Sequence, residues 1–327
     1  MQERPPKKEP SVREERSLEG LMSCHSISEE NVRWLPNGFV LNNEWTIQSL
    51  VRKNSYSQEY SGKNLKSDKP VSIRLTRAKR QQHSWLAMDI GVSSKMTGKE
   101  HFATIYDFGH HGNYHYVVGE QIGPTLAELC KENPKKRFSE TTVFLIGIDM
   151  IEAIRSLHQN GFLHRNIRPS NFVVGSRSRT VRKLYIRNFG TCRAYCTDDG
   201  EVYPPRTTTH FHGDHVYSSA DCLRRRECGR KDDFWSVLYI MIKMAVGHLP
   251  WESVVDPIQM AEMKETIANE QLLNGCPQEM DIIRRHVSSL NYYSCPDYSG
   301  MIEVLDEGLL RRGANRQSKL DWELSND

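Results

Sequence analysis

Apolar and polar positions change their rhythm twice along the chain. Up to about residue 34 there is little apolar content, and "MQERPPKKEPSVREERSLEG" is charged and proline-containing. That texture predicts a disordered tail over residues 1–34, its KK and REER clusters solvated. From Phe39 the runs are short, β-branched or aromatic, and broken by polar turns: "FVLNNEWTIQSLV", "QEYSGKN", "PVSIRLT". They predict an antiparallel meander. A helix is expected over 83–96, followed by two strands, "TIYDFGHHG" and "YHYVVGEQ", joined by a Gly-Asn turn. Beyond Pro124 the period becomes helical. Ser139 is placed to cap a helix in which Leu145, Ile148, Ile151 and Ile154 form one apolar stripe, and Gly161 follows its end. "DDFWSVLYIMIKMAVG" is apolar almost all round, with Lys243 its lone charge, as in a helix buried in the middle of a domain. Further amphipathic helices are expected over 256–312. A small sheet-rich lobe and a larger helical one result, with "GEQIGP" as the joint.

Composition narrows this picture only a little. The chain has 327 residues and a net charge of +3, too weakly basic to argue for nucleic acid. Without a run of eighteen apolar residues, no membrane span is expected. Eight scattered cysteines form no CxxC pair, so reduced thiols and a cytoplasmic or nuclear location are the expectation.

The chemistry-bearing stretch is "GFLHRNIRPSNF", followed about twenty residues later by "RNFG", then by "GRKDDFWSVLYIMIKMAVGHLPW", with "YVVGEQIGPTLAEL" at the joint. On these segments the chain resembles a eukaryotic protein kinase of the casein kinase 1 superfamily, closest to the tau-tubulin kinase branch, from about Leu35 to Trp322. The resemblance implies an α+β, bilobal protein kinase fold. A small antiparallel β-sheet N-lobe would span 35–122, a larger helical C-lobe 123–322, and a C-terminal tail 323–327. It also implies ATP and Mg²⁺ as cofactors and serine/threonine phosphorylation as the reaction.

Position by position, the residues depart from that reaction. The three glycines of the phosphate-covering loop fall on Arg52, Asn54 and Ser57, where each Cβ stands in the way of close backbone approach. The phosphate-contacting lysine is Arg74, and its helix partner is Asp89. A matched Arg74–Asp89 ion pair is expected ahead of phosphate contact. The catalytic-loop Asp that accepts the hydroxyl proton is Asn166, the phosphate-steadying lysine is Arg168, and the metal-side Asn171 is retained. The magnesium-binding Asp of D-F-G is Asn188, an amide without charge. Backbone groups of Glu120 and Ile122 would face an adenine, and the gating position before them is Gly119, which either enlarges the cleft or makes room for a large neighbour.

Retained residues belong to the scaffold: His164, Phe189, and Asp233 as the anchor of the catalytic-loop backbone. The expectation is a pseudokinase acting as a binding or regulatory module in signalling, with a protein or phosphoprotein partner. The alternatives are a low-activity serine/threonine kinase and a nucleotide-binding switch without catalysis. Arg224, Arg225 and Arg226 offer a patch for an acidic ligand, with a solvated basic face as the plainer reading. No metal ligand set is assigned, because His210, His212, Asp214 and His215 match no standard zinc spacing.

Overall fold

The computed structural model describes residues 34–53, 57–77, 83–176 and 180–324. The expected disordered tail lies outside them except for Trp34. The described chain forms two compact units, one of Cα neighbours up to Thr97 and over Thr104–Gln121, the other of Gly98–Ala103 and everything from Ile122 onward.

The first unit is a six-stranded antiparallel sheet with one helix. Its strands are β1 (Val40–Leu41), β2 (Trp45–Lys53), β3 (Ser57–Asn64), β4 (Pro70–Arg77), β5 (Ile105–His111) and β6 (Tyr114–Glu120), in the order β1-β2-β3-β4-β6-β5. Period-two alternation sends Trp45, Ile47, Tyr60, Val71, Ile73, Leu75, Tyr116 and Val118 to one buried cluster. Gly62 sits where an added Cβ would lie 2.5 Å from both Ile73 Cδ1 and the Thr46 carbonyl, so it serves close strand packing. Helix α1 (His83–Met96) buries Leu86 and Ile90 against Val117.

The second unit is mainly helical. β7 (Ile122–Thr125) leads into α2 (Leu126–Glu132), whose start is a full capping box of Thr125 and Glu128. Helix α3 (Glu140–Gln159) is capped by Ser139, and its C-terminus passes through Asn160 to Gly161 at φ +85°. The stripe at Leu145, Ile148, Ile151 and Ile154 is buried. After β8 (Phe162–Leu163), β9 (Phe172–Gly175), β10 (Leu184–Ile186) and β11 (Arg193–Ala194) come the short α4 (Ala220–Leu223) and the buried α5 (Arg230–Val246). Lys243 on α5 escapes burial by pairing with Glu252 at 2.6 Å. Helices α6 (Pro257–Thr266), α7 (Asn269–Leu272), α8 (Glu279–Ser289), α9 (Tyr298–Arg311) and α10 (Asp321–Leu324) complete the unit. Part of the tail expected from residue 323 is thus helical, and Asp321 ties it back by accepting from the Ser139 N–H at 2.6 Å.

The architecture is the expected α+β one, with a sheet-rich unit and a mainly helical unit. One expectation fails. The cysteines are not all reduced thiols: Cys222 and Cys228 are joined as a disulfide. The chain reverses after α4 at Arg225, a non-glycine residue at φ +59°, and this turn brings the two Cα atoms to 5.7 Å. No helix among the described residues is long and apolar enough to cross a membrane.

Candidate functional site

In the second unit the loop His164–Asn171 is built on one buried carboxylate. Asp233, in the first turn of α5, accepts the backbone N–H of His164 at 2.8 Å and of Arg165 at 2.9 Å, and faces His158 Nε2 at 3.0 Å. Two successive N–H groups clamped by one carboxylate hold Arg165 at φ +63°, a conformation a side-chain-bearing residue adopts only when its surroundings enforce it. Burial opposes the charge on Asp233, but His158 and the His164 N–H outweigh it and keep the carboxyl below its usual value. The anchoring role assigned to Asp233 from the sequence is the one its geometry performs.

A second set of contacts fastens the loop to residues 187–191. His164 Nε2 meets the Arg187 carbonyl at 3.1 Å, Thr191 Oγ1 donates to the His164 carbonyl at 3.1 Å, and Arg165 Nε donates to the Thr191 carbonyl at 2.8 Å. His164 and Phe189 pack edge-to-face with ring centroids 5.7 Å apart, and Phe102 stacks on Phe189 with centroids 5.8 Å apart. Asn188 stands at φ +67°, a left-handed conformation that asparagine tolerates better than most residues.

This frame brings three neutral amides together. Asn188 Nδ2 donates to Asn171 Oδ1 at 2.6 Å, and Asn171 Nδ2 donates to the Asn166 carbonyl at 2.7 Å. Asn166 Oδ1 is buried and accepts no hydrogen bond among the described residues. Arg168 turns to Asp214 at 3.5 Å, a partner that no motif spacing announced. Mg²⁺ is usually held through one or two carboxylates. The Asn171 and Asn188 positions supply none, and the Asn171 oxygen is engaged by its neighbour, so this donor set does not fit the ion.

Near the loop the charge is mainly positive. Burial, together with Arg193 and Arg206, pulls the Arg165 guanidinium below its ordinary pKa. Glu227 offsets part of this by taking both ends of the Arg206 fork. The arginines of the expected patch are largely engaged: Arg224 forms a two-pronged pair with Glu265, and Arg226 meets Asp221 at 2.7 Å. The histidines of this region do not converge on one ion. His210 and His215 are exposed, and His215 stacks on Phe211 with centroids 4.4 Å apart.

In the first unit Arg74 on β4 and Asp89 on α1 form the expected ion pair, both largely withdrawn from solvent. Arg52 on β2 pairs with Glu59 at 3.3 Å, and Ser57 opens β3. Asn54 lies outside the described residues. The Glu120 N–H donates to the Thr104 carbonyl at 2.8 Å, while Ile122, in the second unit, pairs with Gly175. At Gly119 an added Cβ would sit 3.0 Å from the Thr104 carbonyl oxygen, so its near neighbour is backbone and not the large residue expected.

Comparison with known proteins follows the same lines. The protein kinase domain profile matches residues 48–305. A "probable serine/threonine-protein kinase" of Dictyostelium discoideum is 29% identical over 88% of this chain, which spans 58% of that protein's length. A casein kinase I homologue of Schizosaccharomyces pombe is 26% identical over 86% of this chain and 66% of its own. An inactive tau-tubulin kinase of Caenorhabditis elegans is 29% identical over 68% of this chain and 80% of its own.

Proposed function

This chain belongs to the protein kinase domain family, and we propose that it uses the scaffold of that family without its reaction, as a casein kinase 1/tau-tubulin kinase-type pseudokinase that binds or regulates a signalling partner. The observation that carries this reading is the trio Asn166, Asn171 and Asn188, whose side chains offer only neutral amides where a base and a metal site are needed. Loss of a positioned general base costs about 10²–10⁴ in rate. Loss of metal-held phosphate charge removes the main source of transition-state stabilisation in phosphoryl transfer. Arg52 is paired with Glu59 and Arg74 with Asp89, and neither supplies the base or the metal-binding charge that is lost. The inactive relative from Caenorhabditis elegans is a precedent for this outcome on a similar sequence.

The remaining machinery suits recognition. A loop clamped by Asp233 is fixed in place, and Arg193 and Arg206 beside it share the single carboxylate of Glu227, an excess of positive charge suited to a protein partner bearing carboxylates or phosphates. The deciding experiment is calorimetric titration of ATP and ADP with and without Mg²⁺, followed by a phosphotransfer assay on casein. Expected are no Mg²⁺-dependent binding and no transfer above background. Binding that requires Mg²⁺, with measurable transfer, would restore the low-activity kinase reading. Metal-independent binding would make the chain a nucleotide switch.

A further inference from the structure

Away from the catalytic loop, the second unit gathers His101, Asp149 and Glu152, whose ligand atoms all lie within 4.8 Å of one another. His101 comes from the segment Gly98–Ala103, and Asp149 and Glu152 stand three residues apart on one face of α3. We propose that these three side chains form a binding site for a first-row transition-metal ion, best filled by Zn²⁺, which fastens the 98–103 segment to α3.

His101 and Glu152 are each held as a metal ligand would be. His101 Nδ1 faces the Leu184 carbonyl at 2.9 Å, which fixes the proton on Nδ1 and leaves the Nε2 lone pair directed at the carboxylates. The backbone is locked at the same point. His101 adopts φ +66°, and its carbonyl accepts the Ile186 N–H at 2.9 Å. Glu152 Oε2 lies 3.4 Å from His101 Nε2, while its other oxygen is held by Arg316 at 3.1 Å. One oxygen is therefore available to an ion while the other is braced from behind, the arrangement that makes outer partners tune metal affinity.

Asp149 leaves room for an occupant. It is half-buried, and its carboxylate has no hydrogen bond or ion pair among the described residues. Arg316 does not answer this need, because its fork is taken by both oxygens of Asp306, at 2.9 and 2.6 Å, and by Glu152. Asp149 also lines a cavity of about 160 Å³ with Arg182, Leu184 and Arg316, so a fourth position on the ion would open on space for water. One imidazole and two carboxylates suit Zn²⁺. Mg²⁺, which prefers all-oxygen surroundings, should be rejected.

The test uses the full chain stripped with EDTA and titrated calorimetrically with zinc chloride, then with magnesium chloride. Expected are one equivalent of zinc bound at micromolar or tighter affinity, a raised melting temperature, and no response to magnesium. Asp149→Asn, chosen because Asp149 has no partner to lose, should weaken zinc at least about a hundredfold with an unchanged circular dichroism spectrum. A His210→Gln/His212→Gln variant should titrate as the wild type. Cobalt(II) substitution gives a readout without mutation: visible ligand-field bands, and no thiolate charge-transfer band in the near ultraviolet. Silence to zinc would overturn the proposal. So would a thiolate band, zinc binding that survives Asp149→Asn, or loss of zinc in the histidine variant. None of these outcomes bears on nucleotide binding, so this inference and the pseudokinase reading fail separately.

Discussion

Asn188 donates its side-chain amide to the Asn171 oxygen at 2.6 Å, so the two positions that hold magnesium in an active kinase hold each other instead. Replacing one amide by a carboxylate removes the donor and supplies charge. The double variant Asn166→Asp/Asn188→Asp should therefore gain some Mg²⁺-dependent ADP binding, since a carboxylate then faces Asn171. Phosphotransfer should rise by less than about tenfold, because the base alone is worth about 10²–10⁴ only when the phosphates are already held. Single-turnover assays with radiolabelled ATP measure this. A gain of a hundredfold or more would mean that the phosphate-covering strands are competent after all.

Asp233 supports a prediction with a sign. Removing one partner of a buried charged network costs about 3–5 kcal/mol, so Asp233→Asn should destabilise the second unit by that order. The folded carboxyl titrates below its usual value of 3.8, so the unfolded chain binds the proton first as pH falls. The stability it contributes is thus complete above about pH 4 and disappears as pH drops through the folded value. Urea unfolding at pH 7 and at pH 3 should show a large gap between wild type and variant at the higher pH and a smaller one at the lower. A gap that is constant with pH would remove the charge from the explanation.

Much of this was legible in the sequence, and the parts that were not share a cause. Alternation and the helical stripe identify β2 to β6, α3 and α5, because burial imposes a local period on the chain. The catalytic-loop positions are legible too, since four segments in fixed order locate Asn166, Asn171 and Asn188. Partners distant in sequence are what a pattern cannot supply. Arg224–Arg226 reads as a basic patch, yet Arg224 finds Glu265 forty-one residues on. Cys222 and Cys228 show no motif spacing, and only the turn at Arg225 joins them. His101 is remote in sequence from Asp149 and Glu152 and meets them only because β10 holds its ring and backbone.

Arg74 and Asp89 form an ion pair, to which the pseudokinase reading gives a structural role alone. A double-mutant cycle of Arg74→Ala and Asp89→Ala should return a coupling of about 1 kcal/mol in thermal unfolding, at the upper end for a pair that is not fully buried. Neither single variant should change nucleotide binding. If Arg74→Ala abolished binding that Asp89→Ala left intact, Arg74 would be a phosphate ligand.

Lys264 makes the last prediction. It is almost fully buried, and its Nζ donates to three backbone carbonyls, those of His215 at 2.8 Å, Val216 at 3.0 Å and Ser218 at 2.6 Å, beside the rings of Trp251 and Tyr239. These carbonyls belong to the segment between the catalytic loop and α4, the same segment whose Asp214 receives Arg168. Lys264→Met keeps the stem and removes all three donors. The Val216 carbonyl would retain the Trp251 indole N–H at 2.8 Å, while those of His215 and Ser218 would lose their lysine partner. The expected cost is on the order of 3 kcal/mol, with faster amide exchange confined to residues 214–219. Lys264→Arg should not restore the loss, because a planar fork cannot aim at three carbonyls converging on one point. Hydrogen-exchange mass spectrometry on the three proteins separates the outcomes. Unchanged exchange in Lys264→Met would mean that the Asp214 end alone holds the segment.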